Sequence, residues 1–272
     1  MLRFSANLSM LFTEIGFLDR FAAAAAAGFE GVEFMFPYGY DKDRLAGLLH
    51  EHGLTLVLHN LPAGDWAAGD RGIACRPDRV GEFRAGVEEA VAYATALGCP
   101  RLNCLGGIVP PGVDMARAKD TLIANLAYAA EPLAKAGIEL LVEPVNTRDI
   151  PGFFPSRTAQ ALEILDVVGS ANLRLQFDLY HAQVMEGDLA RTIEANLPRI
   201  GHLQVADNPG RHEPGTGEIN FDFLFKFIDG LGYDGWIGCE YRPKAETSSG
   251  LDWLAPYLDR ARRRPSPEGE RT

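Results

Sequence analysis

The sequence alternates short apolar runs with longer helical patterns eight times, and the run of strand character comes first in every cycle. Most of the helical patterns stop at a glycine, a residue that readily takes the left-handed conformation closing a helix. The predicted strands cover residues 3–8, 29–34, 54–60, 101–107, 138–142, 173–178, 200–205 and 235–241. The predicted helices cover residues 14–27, 41–52, 79–97, 114–136, 156–168, 188–199, 221–231 and 248–263.

This alternation predicts the α/β class and a single (β/α)8 TIM barrel. The strands are too apolar to leave one face in water, as expected for a parallel sheet covered by helices. An open doubly wound sheet normally carries a glycine-rich turn after its first strand, whereas SMLFTE (9–14) follows the first strand here. We predict one barrel domain over residues 1–263 and a polar C-terminal tail over 264–272.

The charge balance narrows the class of partner. The 272 residues carry a formal net charge of −11, which argues against nucleic acid and against an anionic membrane surface. The longest apolar run, 21–29, is far shorter than the roughly 20 residues of a membrane-spanning helix, and no secretory signal is inferred. The charge thus favours a small-molecule substrate. Four cysteines without a C-x-x-C pair predict reduced thiols in a cytoplasmic protein. Whether the chain forms a homo-oligomer stays open.

A polar residue closes every predicted strand, at the barrel end where active sites of this fold are built. These residues are Asn7, Glu33, His59 with Asn60, Asn103, Glu143, Asp178, Gln204 and Glu240. The last four lie on consecutive strands and carry oxygen donors. Three converging carboxylates and a carboxamide favour a hard divalent ion, Mg²⁺ or Mn²⁺, with Glu143, Asp178, Gln204 and Glu240 as its ligands.

Two glutamates across such a site predict proton-transfer chemistry. A divalent ion polarises a carbonyl, one glutamate removes the neighbouring C–H proton, and the other returns a proton to the next carbon of an enediolate. Glu143 and Glu240 are the predicted acid–base pair. The sequence does not decide which of them acts first, because a metal ligand is a compromised base.

Two long loops and one loop histidine carry the predicted substrate-binding residues. The loop 59–75 brings His59, Trp66 and Arg71 towards the barrel mouth, and the alternative is a loop held by its own Asp–Arg contacts. The loop 208–221 brings Arg211 and His212, for which anion binding and a purely structural role are both open. His181, in DLYH, is predicted to hydrogen-bond a substrate hydroxyl or else to be a satisfied loop histidine.

At these motifs the sequence resembles the hydroxypyruvate isomerase family, within the xylose-isomerase-like TIM barrel superfamily. The matching blocks are FSANLSMLF (4–12), GVEFMFPY (31–38), HNLPAGDWAAGDRGIAC (59–75), EPVN (143–146), DLYH (178–181), IGHLQVADNPGRHEPGTGEIN (200–220) and GCEYRP (238–243). The resemblance implies reversible isomerisation of hydroxypyruvate to tartronate semialdehyde (2-hydroxy-3-oxopropanoate). It also implies Glu143 and Glu240 as the acid–base pair, with Glu143, Asp178, Gln204 and Glu240 as metal ligands.

One departure from the wider superfamily bears on the metal. Where its epimerases usually present a histidine on strand seven, this chain has Gln204, a weaker neutral ligand, so the metal requirement is left open.

Other functions stay open beside the hydroxypyruvate isomerase. They are a 2-oxo-tetronate isomerase acting on four-carbon sugar acids, a ketose 3-epimerase, a non-catalytic sugar-acid sensor and a metal-dependent nuclease. The nuclease fits six histidines and a net charge of −11 poorly.

Overall fold

A computed structural model, which describes residues 2–261, contains a closed parallel barrel of eight strands in sequential order, β1 to β8. The strands are β1 (Arg3–Asn7), β2 (Gly31–Phe34), β3 (Thr55–Asn60), β4 (Arg101–Cys104), β5 (Glu139–Val142), β6 (Leu173–Asp178), β7 (Ile200–Val205) and β8 (Trp236–Cys239). β1 pairs with both β2 and β8, which closes the barrel. The predicted fold class is therefore confirmed.

Helices follow the strands around the outside. They are α1 (Arg20–Ala26), α2 (Lys42–Glu51), α3 (Val80–Leu97), α4 (Met115–Lys135), α5 (Thr158–Val168), α6 (Leu179–Met185), α7 (Leu189–Asn196), α8 (Phe221–Gly230) and α9 (Ala255–Ala261). Local sequence explains several boundaries: the Asp41 and Asp114 side chains accept hydrogen bonds from the backbone N–H groups of Arg44 and Arg117 at the starts of α2 and α4. Gly98 ends α3 with a φ of 63°.

The main hydrophobic core lies between the strands and the surrounding helices. Strand residues such as Val32, Leu102 and Leu140 share one buried cluster with helix residues such as Leu45 and Leu122. All four cysteines are buried free thiols, as the sequence predicted. Within residues 2–261, no helix combines the length and apolar character that crossing a bilayer requires.

Three elements differ from the sequence prediction. The first helix begins only at Arg20, after a short 3-10 turn over Phe17–Asp19. β6 is followed directly by α6, which the sequence reading placed in a loop, because the Asp178 side chain caps a helix there. The last predicted helix, 248–263, is divided into 3-10 turns and α9 within the described residues. The predicted tail 264–272 lies outside the described residues, and the domain boundary at 263 stays a prediction.

Candidate active site

Four ionisable side chains meet at the carboxyl end of the barrel. Glu143 and Glu240 directly follow β5 and β8, Asp178 ends β6, and His181 lies in the first turn of α6. Each offers one ligand atom, all four of these atoms lie within 4.8 Å of one another, and all four residues are buried. We call Glu143, Asp178, His181 and Glu240 the mouth cluster. Parallel strands end on one face of the barrel, so three of the predicted carboxylates come together there.

Asp178 has a divided role in this cluster. Its Oδ1 accepts a hydrogen bond of 2.7 Å from the backbone N–H of Tyr180 and so caps α6. Its Oδ2 is buried and has no hydrogen-bond partner among the described residues. An uncompensated buried carboxylate oxygen is costly, because it has left water without gaining a donor. One oxygen therefore holds the helix while the other is available to a cation.

Glu143 is a buried carboxyl group whose pKa lies near neutral pH. Its Oε2 accepts a hydrogen bond of 2.8 Å from Asn103 Nδ2. Burial, and next the charge of Asp178, raise the pKa of Glu143 to about 8, although Arg211 and hydrogen bonds from Asn103 and Gln176 oppose that rise. A carboxyl group that changes protonation near neutral pH suits general acid–base work.

Glu240 is paired with Arg211. The Arg211 Nη2 donates to Glu240 Oε2 over 2.9 Å, and the same nitrogen lies 3.9 Å from Asp178 Oδ2. The guanidinium also packs over the Tyr180 ring, 5.1 Å from its centroid. Burial raises the pKa of Glu240 well above its usual range even though Arg211 opposes the shift. The single arginine charge thus only partly compensates the carboxylates around it.

The tautomer of His181 follows from its neighbour Asn146. The Asn146 Oδ1 accepts from the backbone N–H of Asp149, so its Nδ2 is the group that faces His181 Nδ1, at 2.7 Å. Burial lowers the pKa of His181 to about 3, which keeps the ring neutral. A neutral ring that accepts at Nδ1 carries its proton on Nε2, which faces Asp178 Oδ2 at 3.7 Å and Glu143 Oε1 at 3.9 Å. On this assignment His181 directs an N–H into the mouth, where Nε2 also lies 3.5 Å from Arg211 Nη2. Its hydrogen bond to a substrate hydroxyl stays a prediction.

Gln204 lies in β7 beside Asp178, its register partner in β6. Its Oε1 accepts from Gln176 Nε2 over 2.7 Å, and its Nε2 donates to Glu33 Oε1 over 2.8 Å. A carboxamide oxygen has two lone pairs, so one remains beside the bond from Gln176. The predicted role of Gln204 as a metal ligand stays a prediction.

A cavity of about 950 Å³ opens above the mouth cluster. Its lining includes Glu143, His181, Arg211 and Glu240, together with Trp66 and Arg71 from the long loop after β3. Arg71 stacks on the Trp66 ring at 4.3 Å, and its Nη1 donates to the carbonyl oxygens of Trp66 and Asp70. The loop thus holds an arginine and an aromatic side chain at the edge of the cavity.

His59 and His212, which were predicted to bind substrate, contact backbone carbonyl oxygens. His59 is fully buried, its Nδ1 lies 3.1 Å from the carbonyl oxygen of Asn60, and burial lowers its pKa to about 4. His212 Nδ1 lies 2.8 Å from the carbonyl oxygen of Arg242. Neither lines the cavity in the described part of the chain. Their binding roles stay predictions.

Sequence reasoning missed a second buried carboxylate site below the mouth. Glu33 accepts hydrogen bonds from Ser5, Asn7 and Gln204, and its Oε2 lies 2.8 Å from His202 Nε2. We call these five residues the Glu33 site. A period-two signal was available, since Gln176 and His202 precede Asp178 and Gln204 by two residues and so face the same side of their strands.

Comparison with known proteins points to one family. A family model described as xylose isomerase-like TIM barrel matches residues 21–257. The chain is 57% identical over 257 residues to the hydroxypyruvate isomerase of Escherichia coli (strain K12), covering 94% of this chain and 100% of that protein. It is 51% identical over 258 residues to the 2-oxo-tetronate isomerase of Cupriavidus necator, covering 95% of this chain and 99% of that protein.

A solved structure is also close. The Brucella melitensis protein named AP endonuclease, family 2, superposes with a TM-score of 0.92 at 50% identity and covers 94% of this chain and 99% of that one.

Proposed function

The chain belongs to the hydroxypyruvate isomerase family of xylose isomerase-like TIM barrels and is an isomerase, and from this premise we propose that it converts hydroxypyruvate reversibly to tartronate semialdehyde. The observation that carries the proposal is the mouth cluster: Glu143 and Glu240 present carboxylate oxygens within 4.8 Å of each other and of Asp178. An aldose–ketose type isomerisation needs two proton transfers between adjacent carbons, and this pair supplies two proton carriers.

The residues present fit a divalent metal ion. The mouth cluster holds three carboxylates, one of which keeps an unpartnered oxygen, and burial raises the pKa of Glu143 and Glu240. We assign Glu143, Asp178, Gln204 and Glu240 as the ligands of Mg²⁺ or Mn²⁺, which favour such oxygen donors. The bound ion would supply Lewis-acid polarisation of the substrate carbonyl and stabilise negative charge.

The protein groups then divide the proton work. One glutamate of the pair takes the proton from the hydroxyl-bearing carbon, and the other delivers a proton to the former carbonyl carbon of the enediolate. The hydroxyl proton passes to the former carbonyl oxygen, and the two glutamates return to their starting protonation states by exchange with water. The neutral His181 donates its Nε2–H to a substrate oxygen. This donation holds the oxygen in place between the two glutamates, which is a positioning contribution.

The cavity offers cationic groups for the substrate carboxylate. Arg211 reaches into the mouth beside Glu240, and Arg71 lies on the loop at the cavity edge. Arginine is suited to carboxylates because its planar N–H groups can bind both oxygens. Trp66, packed on Phe36 with ring centroids 5.1 Å apart, limits the access of water from the same side.

A 2-oxo-tetronate isomerase is the second candidate. The Cupriavidus necator relative with that name is 51% identical over nearly the whole chain, and a cavity of about 950 Å³ has room for one further carbon. The ketose 3-epimerase alternative has less support, because solved structures with that name share the fold at 23% identity or less.

The nuclease alternative takes its support from the name of the Brucella melitensis structure. The net charge of −11 argues against a polyanionic substrate.

The test is an assay by ¹H NMR in which hydroxypyruvate and a 2-oxo-tetronate are offered as substrates. The two values of kcat/KM are compared, and the assay is run with and without a chelator. We expect the higher value for hydroxypyruvate. Equal or higher turnover of the tetronate would transfer the assignment to the second candidate, and turnover of neither would remove both. The acid–base role is tested with Glu143→Gln, which we expect to lose turnover. Its matched control is Glu139→Gln, because Glu139 lies at the other end of β5 and pairs with Arg101 and Arg174.

A further inference from the structure

The Glu33 carboxylate crosses the barrel interior from β2 to reach β7. A Cβ atom on Gly238 of β8 would lie 2.3 Å from Glu33 Oε1 and 2.4 Å from Oε2. Only glycine therefore leaves space at this position for the carboxylate to pass. The side chain is fully buried, and its route ends on His202 and Gln204.

The side chains around Glu33 must each direct an N–H or O–H group towards its carboxylate. Its Oε1 accepts from Asn7 Nδ2 and Gln204 Nε2, and its Oε2 accepts from Ser5 Oγ and faces His202 Nε2. A carboxylate that receives two donors on each oxygen acts only as an acceptor. The Gln204 amide must then turn its NH₂ group towards Glu33 and its carbonyl oxygen away from it.

The orientation of the Gln204 amide also fixes that of the Gln176 amide. Because Gln204 offers Oε1, Gln176 has to present Nε2, and the observed separation of these atoms is 2.7 Å. The Gln176 Oε1 is buried and has no hydrogen-bond partner among the described residues, so Nε2 is the atom through which this amide is held. Reversing either amide would place two oxygens or two NH₂ groups against each other in a buried site, where unsatisfied polar groups are expensive.

We propose that Glu33 is a positioning residue that fixes the direction of the Gln204 and Gln176 amides, so that Gln204 keeps an oxygen for the mouth cluster. The inference rests on the proposed function only where it assigns Gln204 to the metal. Gln204 can serve as an oxygen ligand in this position only if its NH₂ group is hydrogen-bonded elsewhere. Glu33 accepts that hydrogen bond.

Side-chain NMR tests the proposal directly, because the chain contains only four glutamines, at positions 160, 176, 183 and 204. Selective ¹⁵N-glutamine labelling gives four NH₂ pairs. Gln183 is the internal reference, since it donates to Glu218 in an exposed pair. In the wild type we expect the Gln204 and Gln176 pairs to exchange with D₂O much more slowly than the Gln183 pair.

Three variants separate orientation from simple stability. Glu33→Met removes the acceptor at similar volume, and we expect faster exchange and shifted resonances at both Gln204 and Gln176. We expect its Mn²⁺ affinity to fall by about tenfold or more, the usual cost of losing an outer-shell partner. Ser5→Ala removes one donor from the other Glu33 oxygen and should leave the glutamine pairs and Mn²⁺ affinity close to wild type.

Glu33→Gln is the rescue variant. The Ser5 hydroxyl can rotate to accept, and His202 can change tautomer because its Nδ1 has no hydrogen-bond partner among the described residues. The new NH₂ group can therefore face Ser5 and His202 while its oxygen still accepts from Gln204. We expect one additional NH₂ pair, from position 33, while the four native glutamine pairs and the Mn²⁺ affinity stay as in the wild type.

Unchanged glutamine pairs in Glu33→Met, or equal perturbation in Glu33→Met and Ser5→Ala, would overturn the proposal. If Glu33→Met does not fold, Glu33→Asp retracts the acceptor by one methylene and is judged by the same two outcomes. These spectra need no substrate, so failure of the proposed isomerase activity in the two-substrate assay would leave the amide result readable on its own.

Discussion

The barrel interior holds two buried carboxylate sites with opposite electrostatic character. In the Glu33 site, burial alone would raise the pKa of Glu33, but His202 and the hydrogen-bond donors outweigh burial and hold the pKa below its usual range. In the mouth cluster, burial and mutual repulsion raise the pKa of Glu143 to about 8. A carboxylate surrounded by donors serves structure, whereas carboxylates left short of donors are prepared for a cation and a proton.

The largest expected effect is on turnover. Glu143→Gln keeps the shape of the side chain and removes its ability to carry a proton, so kcat should fall by about 100-fold or more. Circular dichroism and the thermal midpoint should stay close to wild type. Glu139→Gln, the control on the same strand, should keep full turnover, and a Glu143→Gln variant as active as this control would contradict the assigned role.

The same substitution should cost much more stability at the Glu33 site than in the mouth cluster. Glu33→Met removes an acceptor and leaves buried donors unpaired, which should lower the free energy of unfolding by about 3 to 5 kcal/mol. Glu143→Met leaves a single donor, Asn103 Nδ2, without its acceptor and removes a carboxyl group whose ionisation burial disfavours, so it should cost clearly less metal-free stability. Urea denaturation of both variants measures the difference. Equal losses would show that the two sites do not differ in character.

Metal binding should stabilise the protein only through the mouth cluster. At a free Mn²⁺ concentration of about 100 Kd, binding to the native state adds about 2.7 kcal/mol to the free energy of unfolding. Calorimetric scans with and without Mn²⁺ should show this rise in the wild type and in Ser5→Ala. Asp178→Asn should lose it, because Asp178 supplies the unpartnered oxygen. A Mn²⁺ response retained in Asp178→Asn would locate the ion elsewhere.

The two sites should also differ in the sign of their pH dependence. The pKa of Glu143 is about 4.3 in the unfolded chain, which is the usual value for glutamate, and about 8 in the folded protein. Between these values only the unfolded state loses the proton, so metal-free stability falls as pH rises, by up to about 1.4 kcal/mol per pH unit, and levels off above pH 8. Glu143→Gln should flatten this slope.

Glu33 should act in the other direction. Its lowered folded pKa gives stability that is present above the unfolded pKa and is lost as pH falls through the folded pKa. Glu33→Gln should therefore reduce the acid sensitivity of unfolding below pH of about 4.3. His181 and His59, whose folded pKa values are lowered, add stability as pH rises towards about 6.5, so the Glu143 slope is isolated above that pH. A wild-type profile without a fall between pH of about 6.5 and 8 would contradict the raised pKa of Glu143.

The sequence predicted the barrel and named all four mouth residues, three as strand-end carboxylates and His181 as a substrate-binding residue, because local patterns mark the ends of the strands. Alternating strands and helices specify the barrel, and residues that end parallel strands must share one face. The tautomer of His181 and the cap at Asp178 depend on Asn146 and on α6, which no periodic signal marks. The Glu33 site joins β2 to β7 across the interior, and a contact of that span follows from the closed barrel rather than from sequence spacing.

The most direct test of the account is metal restoration of turnover. Metal-stripped wild-type protein and Glu143→Gln are assayed with hydroxypyruvate before and after addition of Mn²⁺. We expect that stripping lowers wild-type kcat/KM, that Mn²⁺ restores it, and that Glu143→Gln binds Mn²⁺ weakly and stays inactive. Full activity of the stripped wild-type protein, or Mn²⁺-restored activity of Glu143→Gln, would contradict the claim that the mouth cluster joins a metal site to an acid–base pair.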